Sequence, residues 1–192
     1  MLIKDESTPN PDAVKFVCFR PISPKESKTF LSLEDCHESS LASKLFLIEE
    51  VEVVFFGNDF ITLTKKENSS WELIKSKAIL TIIDHFSLTN KVFDRKIKEE
   101  DVEKNSIDYS NSSSVDDQIK QILEEYVRPA IAMDGGDLVY HGFQDGVVTI
   151  SLVGACRGCP SSEMTLKHGI QTTLQYHVPE VISVEVAPIN KQ

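Results

Sequence analysis

Residues 94–114 constrain the fold of this 192-residue chain more than any other stretch. The stretch begins with the charged run Arg95-Lys96-Ile97-Lys98-Glu99-Glu100-Asp101-Val102-Glu103-Lys104 and turns to Ser and Asn between Asn105 and Ser114. Apolar residues are sparse and aperiodic there, so no helix or strand could bury a face. The charged part can extend a helix. The Ser/Asn part reads as a flexible linker with an r.m.s. span of roughly 25 Å. Two folded blocks are therefore expected, residues 1–93 and 115–192, joined by the linker 94–114 and able to move independently. With 41% hydrophobic and 8% aromatic residues, the chain has apolar material for a core in each.

In the first block, Thr8-Pro9-Asn10-Pro11 gives a stiff extended entry, and Ala13 to Phe19 is a strand candidate. Ser39 or Ser40 can cap a short helix reaching Leu47. Val51 to Phe56 and Phe60 to Lys65 are β-rich runs around Gly57-Asn58-Asp59, a hairpin signal. Trp71, Ile74, Ala78, Ile82 and Phe86 then recur at helical spacing and predict the buried stripe of a helix.

In the second block, Ile119, Ile122, Leu123, Tyr126, Val127 and Ile131 mark one face of an amphipathic helix, capped by Ser114 with Asp117 three residues on. Pro129 predicts a kink or a separate last turn, and Asp134-Gly135-Gly136-Asp137 ends the helix. Leu138 to Phe143 and Val147 to Val153 predict a hairpin about Asp145-Gly146. A helix from Pro160 to about Val178 and a strand from Val181 to Ala187 complete the order helix-strand-strand-helix-strand. The fold class expected is α+β: two small α+β domains, the second of roughly the minimum size for its own core.

The balance of 20 Lys+Arg against 30 Asp+Glu gives a net charge of −10, which argues against nucleic acid or an anionic membrane as partner. No stretch is apolar enough to span a bilayer, because Glu49, Glu50 and Glu52 interrupt the run from Leu45 to Phe56. The first residues carry acids where a signal peptide needs an apolar core, and they do not form an Arg-rich transit peptide. With four cysteines and no secretion signal, thiols are expected to serve chemistry in a reducing compartment. The expected location is a bacterial cytoplasm, with the mitochondrial matrix after presequence removal as the alternative.

Only two cysteines are close in sequence, in Gly154-Ala155-Cys156-Arg157-Gly158-Cys159-Pro160-Ser161-Ser162. They fall where a strand ends and a helix begins, with Pro160 favoured at the first helical position. Unpaired N–H groups and the positive end of the helix dipole favour a thiolate there. Arg157 adds positive charge, and Gly154 and Gly158 allow tight turns with N–H groups free to donate to sulfur. Two buried cysteines met by coincidence would be odd in a chain this poor in Cys. A redox dithiol uses the same spacing, but usually within βαβ order, whereas this pair follows a hairpin and lacks a flanking aromatic residue. Structural zinc needs four ligands; His141, His168 and His177 lie in a strand and along a helix, where a lone His is usually no ligand. An iron–sulfur cluster needs four thiolates, which two chains could supply at a two-fold axis.

The segment Met133-Asp134-Gly135-Gly136-Asp137, the hairpin, the cysteine loop, Thr165-Leu166-Lys167, Gly169-Ile170 and Pro179-Glu180-Val181 resemble the NifU-like C-terminal domain. Thr8-Pro9-Asn10-Pro11, Lys15-Phe16, Phe55-Phe56-Gly57 and Asp59-Phe60-Ile61-Thr62 resemble the N-terminal domain of Nfu-type scaffold proteins. The resemblance implies a non-enzymatic scaffold or carrier that assembles a 4Fe–4S or 2Fe–2S cluster and passes it to apo iron–sulfur proteins. It implies Cys156 and Cys159 as the cluster and metal ligands, a homodimer that shares the cluster, and an upstream assembly scaffold as donor. No ligand role falls on Cys18 or Cys36, whose plainer reading is isolated thiols. Asp134 and Asp137 are expected to turn and cap the chain rather than hold metal.

Overall fold

The computed structural model describes residues 2–23, 26–94, 114–158 and 160–188. The linker expected at 94–114 falls almost wholly outside these residues.

The first block forms a five-stranded antiparallel sheet from β1 (Lys4–Ser7), β2 (Ala13–Val17), β3 (Lys28–Phe30), β4 (Val51–Phe56) and β5 (Phe60–Lys65), in spatial order β1-β2-β5-β4-β3. Alternation along the strands sends Phe16, Val54, Phe56, Ile61 and Leu63 to one face. There they meet α1 (Ser40–Phe46) and α2 (Trp71–Leu88) through Leu41, Leu45, Ile74, Ala78 and Ile82. Ser39 caps α1 by accepting from the Ala42 N–H, and α2 buries the predicted stripe at Ile74, Ala78 and Ile82. Two strands lie beyond the sequence reading. β1, with the sequence Lys-Asp-Glu-Ser, is an edge strand without a buried face, and β3 has only three residues.

The second block runs α3 (Val115–Ile122), α4 (Arg128–Met133), β6 (Gly136–Gln144), β7 (Val147–Gly154), α5 (Pro160–His177) and β8 (Ser183–Val186). Ser114 caps α3 by accepting from the Asp117 N–H. Pro129 has no N–H to give the preceding turn, and the helix widens to a π turn over Leu123–Val127 before α4 resumes. The predicted interruption is therefore present, spread over one turn. Asp145 and Gly146 both take positive φ, +50° and +82°, as a two-residue hairpin with right-handed strand twist demands. The sheet order is β6-β7-β8, antiparallel between β6 and β7 and parallel between β7 and β8. Ile119, Leu123, Leu138, Ile150, Leu152, Ile170 and Leu174 form its core.

The two blocks touch. Phe55 and Phe60, on the face of the first sheet away from its helices, form a small apolar cluster with Val153 of β7, against which Ala132 of α4 packs. The sequence reading did not anticipate the contact, although Phe55 and Phe60 put apolar side chains on the outward face of β4 and β5.

Candidate functional site

The cysteine loop leaves β7 where that strand pairs Gly154 with Gly136, the first residue of β6. Gly154 adopts φ +67° and lies under the Gly135 carbonyl and Phe55, so the turn needs both its conformation and its lack of a side chain. The Ala155 N–H donates to the Gly135 carbonyl at 3.1 Å, and the Arg157 N–H donates to the Gly154 carbonyl at 3.2 Å. Gly158 takes φ +71°, and α5 begins at Pro160. The predicted position of the loop, between a strand end and a helix start, is what the structure shows. Cys159 lies outside the described residues.

Cys156 is 3% exposed and packs with the core of the second block. Its sulfur lies over Gly136. A Cβ at that position would stand 2.5 Å from Sγ and 2.8 Å from the Val153 carbonyl oxygen. Gly136 therefore makes room for the thiol, a role the sequence reading did not assign. The glycine pair Gly135-Gly136 was a visible signal, but only the β6–β7 pairing shows what the second glycine faces.

Cys18 and Cys36 are buried in the first block; burial pushes their thiols up to about 12 and about 11, with Asp59 and Asp35 adding to the shifts. Both are set up to stay protonated and inert. His141 is within 2.7 Å of the Ser151 hydroxyl, which donates to the Ala187 carbonyl. His177 stacks on Tyr126 with ring centroids 4.8 Å apart, and His168 is exposed on α5. Asp137 accepts 2.7 Å bonds from Arg128 Nη1 on both oxygens and one from the Leu138 N–H, which ties α4 to β6. Asp134 is the C-cap of α4. Among the described residues, no three His, Cys, Asp or Glu side chains gather into a set able to hold a metal ion.

Three polar side chains of the first block grip the backbone around Cys156. Asn10 Nδ2 donates to the Ala155 carbonyl at 3.0 Å, in the peptide that joins Ala155 to Cys156. Thr62 Oγ1 donates to the Gly135 carbonyl at 2.7 Å, and Lys15 Nζ to the Ala132 carbonyl at 2.9 Å. The lysine meets the carbonyl end of α4, where a cation is favoured. Sequence reasoning named these three residues as part of a resemblance but gave them no contact.

The cysteine pair does follow a hairpin, but β7, α5 and β8 also make a parallel strand–helix–strand crossover with the loop at its start. The objection to a redox dithiol on grounds of chain order does not stand.

Two family models match. Residues 3–89 match the N-terminal domain of scaffold protein Nfu/NifU, and residues 119–185 match the NifU-like domain. The human NFU1 iron-sulfur cluster scaffold homolog, mitochondrial, is 39% identical over 186 residues, covering 96% of this chain and 71% of its own length. The chain belongs to the Nfu/NifU scaffold family. The Drosophila ananassae relative of the same name is also 39% identical over 96% of the chain, which spans 64% of that protein. A solution structure of a NifU-like protein from Saccharomyces cerevisiae aligns with 50% of the chain and 87% of its own at 25% identity and a TM-score of 0.46. The family confirms two α+β domains, and the relatives are named as scaffolds rather than enzymes.

The bacterial cytoplasm is overturned as the expected location, because the matching relatives are named as mitochondrial proteins. The expectation leaned on the first residues of the chain. The relatives are longer than the chain, so where this sequence starts says nothing about targeting. Among the described residues, no helix is long and apolar enough to cross a membrane.

Proposed function

We propose that the protein is a mitochondrial iron–sulfur scaffold and carrier whose cargo, a 4Fe–4S or 2Fe–2S cluster, is held by Cys156 and Cys159 from each of two subunits. The observation that carries this reading is the setting of Cys156, whose sulfur is seated over Gly136 in a glycine-shaped loop between β7 and α5 of a chain of the Nfu/NifU scaffold family. A cluster takes four thiolates, so a second copy of the loop across a two-fold axis completes the set. Exposed Met133 and Met164, close in sequence to the Asp134 and Leu166 that flank Cys156, add apolar surface for such a partner.

The chain's own contribution is to position sulfur. Gly136 leaves space for Sγ, Gly154 and Gly158 shape the loop, and the α5 N-terminus with Arg157 balances negative sulfur. An upstream assembly scaffold supplies the cluster. Transfer proceeds by stepwise ligand exchange, in which thiolates of an apo-protein replace Cys156 and Cys159.

The test is anaerobic reconstitution with iron and sulfide. A brown protein is expected, with absorption and iron content lost on Cys156→Ser or Cys159→Ser. A second reading, a dithiol oxidoreductase, is favoured by the β7–α5–β8 crossover alone. It predicts a colourless protein that reduces disulfides with the same two thiols, and that result would displace the scaffold reading.

A further inference from the structure

We propose that the N-terminal domain is a cover for the cysteine loop, and that it must lift off before Cys156 can take a cluster shared with a second subunit. The inference rests on the scaffold reading for what the site binds, but on separate contacts for the cover itself.

Pro9 and Asn10 of the first domain face Asp134, Ala155, Cys156 and Leu166 of the second across a gap of about 10 Å³. That space admits at most one water molecule. Metal–thiolate bonds alone are about 2.3 Å long, so no metal–sulfide cluster fits between Cys156 and the Pro9-Asn10 turn. Asn10 is itself buried at 7% exposure, and its Oδ1 accepts from the Asp12 N–H at 2.9 Å. That bond leaves Nδ2 aimed at the Ala155 carbonyl.

Thr62, 1% exposed, and Lys15 add their bonds to Gly135 and Ala132, and Phe55 and Phe60 seal the edge on Val153. Gly135 is hemmed in by Thr62, Lys15 and Thr8, so the close approach needs a glycine there as well. Every one of these first-domain residues except Asp12 lies in the segments that carried the family resemblance of that domain. The face they build is used up on the second domain. The contacts are few, and mostly hydrogen bonds to main-chain carbonyls that water can replace on opening.

The test uses the full chain. Asn10→Asp keeps the acceptor for the Asp12 N–H but sets an oxygen against the Ala155 carbonyl, and Thr62→Val removes the second donor without changing shape. Under reducing conditions, the double variant should alkylate at Cys156 with iodoacetamide roughly tenfold faster than the parent or more. Cys18 and Cys36, buried within the first domain, should stay unreacted in both and so report an intact fold. The variant should also take up cluster faster on reconstitution. Equal alkylation of Cys156 in the two proteins would overturn the cover, as would faster alkylation with unchanged or slower cluster uptake. If the thiol rates differ but neither protein binds a cluster, the scaffold reading fails while the docking survives.

Discussion

Cys156 depends on an atom that is absent, the Cβ of Gly136. A methyl group there would overlap both the thiol and the Val153 carbonyl. Gly136→Ala should lower stability by about 1–3 kcal/mol, read from the urea midpoint, and reduce the iron retained after reconstitution. The inert thiols make a different prediction. Cys18 and Cys36 titrate in the folded chain near 12 and 11 against an ordinary 9.0. Above pH 9 the unfolded chain therefore loses protons that the folded chain keeps, and stability falls as pH rises. The slope should reach about 1.4 kcal/mol per pH unit for each thiol. Urea unfolding in reductant from pH 8 to 10 should show the decline, and Cys18→Ala should flatten it relative to the parent. The same residue that packs the core is thus kept out of the chemistry. Neither role needs the other cysteine pair.

Asp137 ties two elements together. Its two bonds from Arg128 hold α4 against the first residues of β6, which keeps Gly135 and Gly136 beneath the cysteine loop. Asp137→Asn should cost about 1–3 kcal/mol of stability and leave the iron bound per chain unchanged; loss of iron with stability intact would make Asp137 a ligand. Most elements were legible because their apolar pattern is strong, as in the Ile74, Ala78 and Ile82 stripe or the β-rich run of β4. β1 was not, since an edge strand of Lys, Asp, Glu and Ser has no buried face to betray it. The parallel pairing of β7 with β8 was hidden for another reason. Strand order along a chain does not state direction, and only the helix between them makes the crossover.

The sequence pointed to two domains but not to their contact. Thr62 and Lys15 read as ordinary polar residues on the open face of a strand, and only their partners, main-chain carbonyls more than 70 positions away, give them a role. The contact places the first domain over the loop that the second domain builds. We propose that this loop is half of a site and that a second chain supplies the rest. Native mass spectrometry of the anaerobically reconstituted full chain reads this directly. The predicted species is two chains with roughly one four-iron cluster between them, reverting to apo-protein on Cys156→Ser. A single chain carrying a complete cluster or one retained zinc, or a dimer holding its cluster without Cys156, would contradict it.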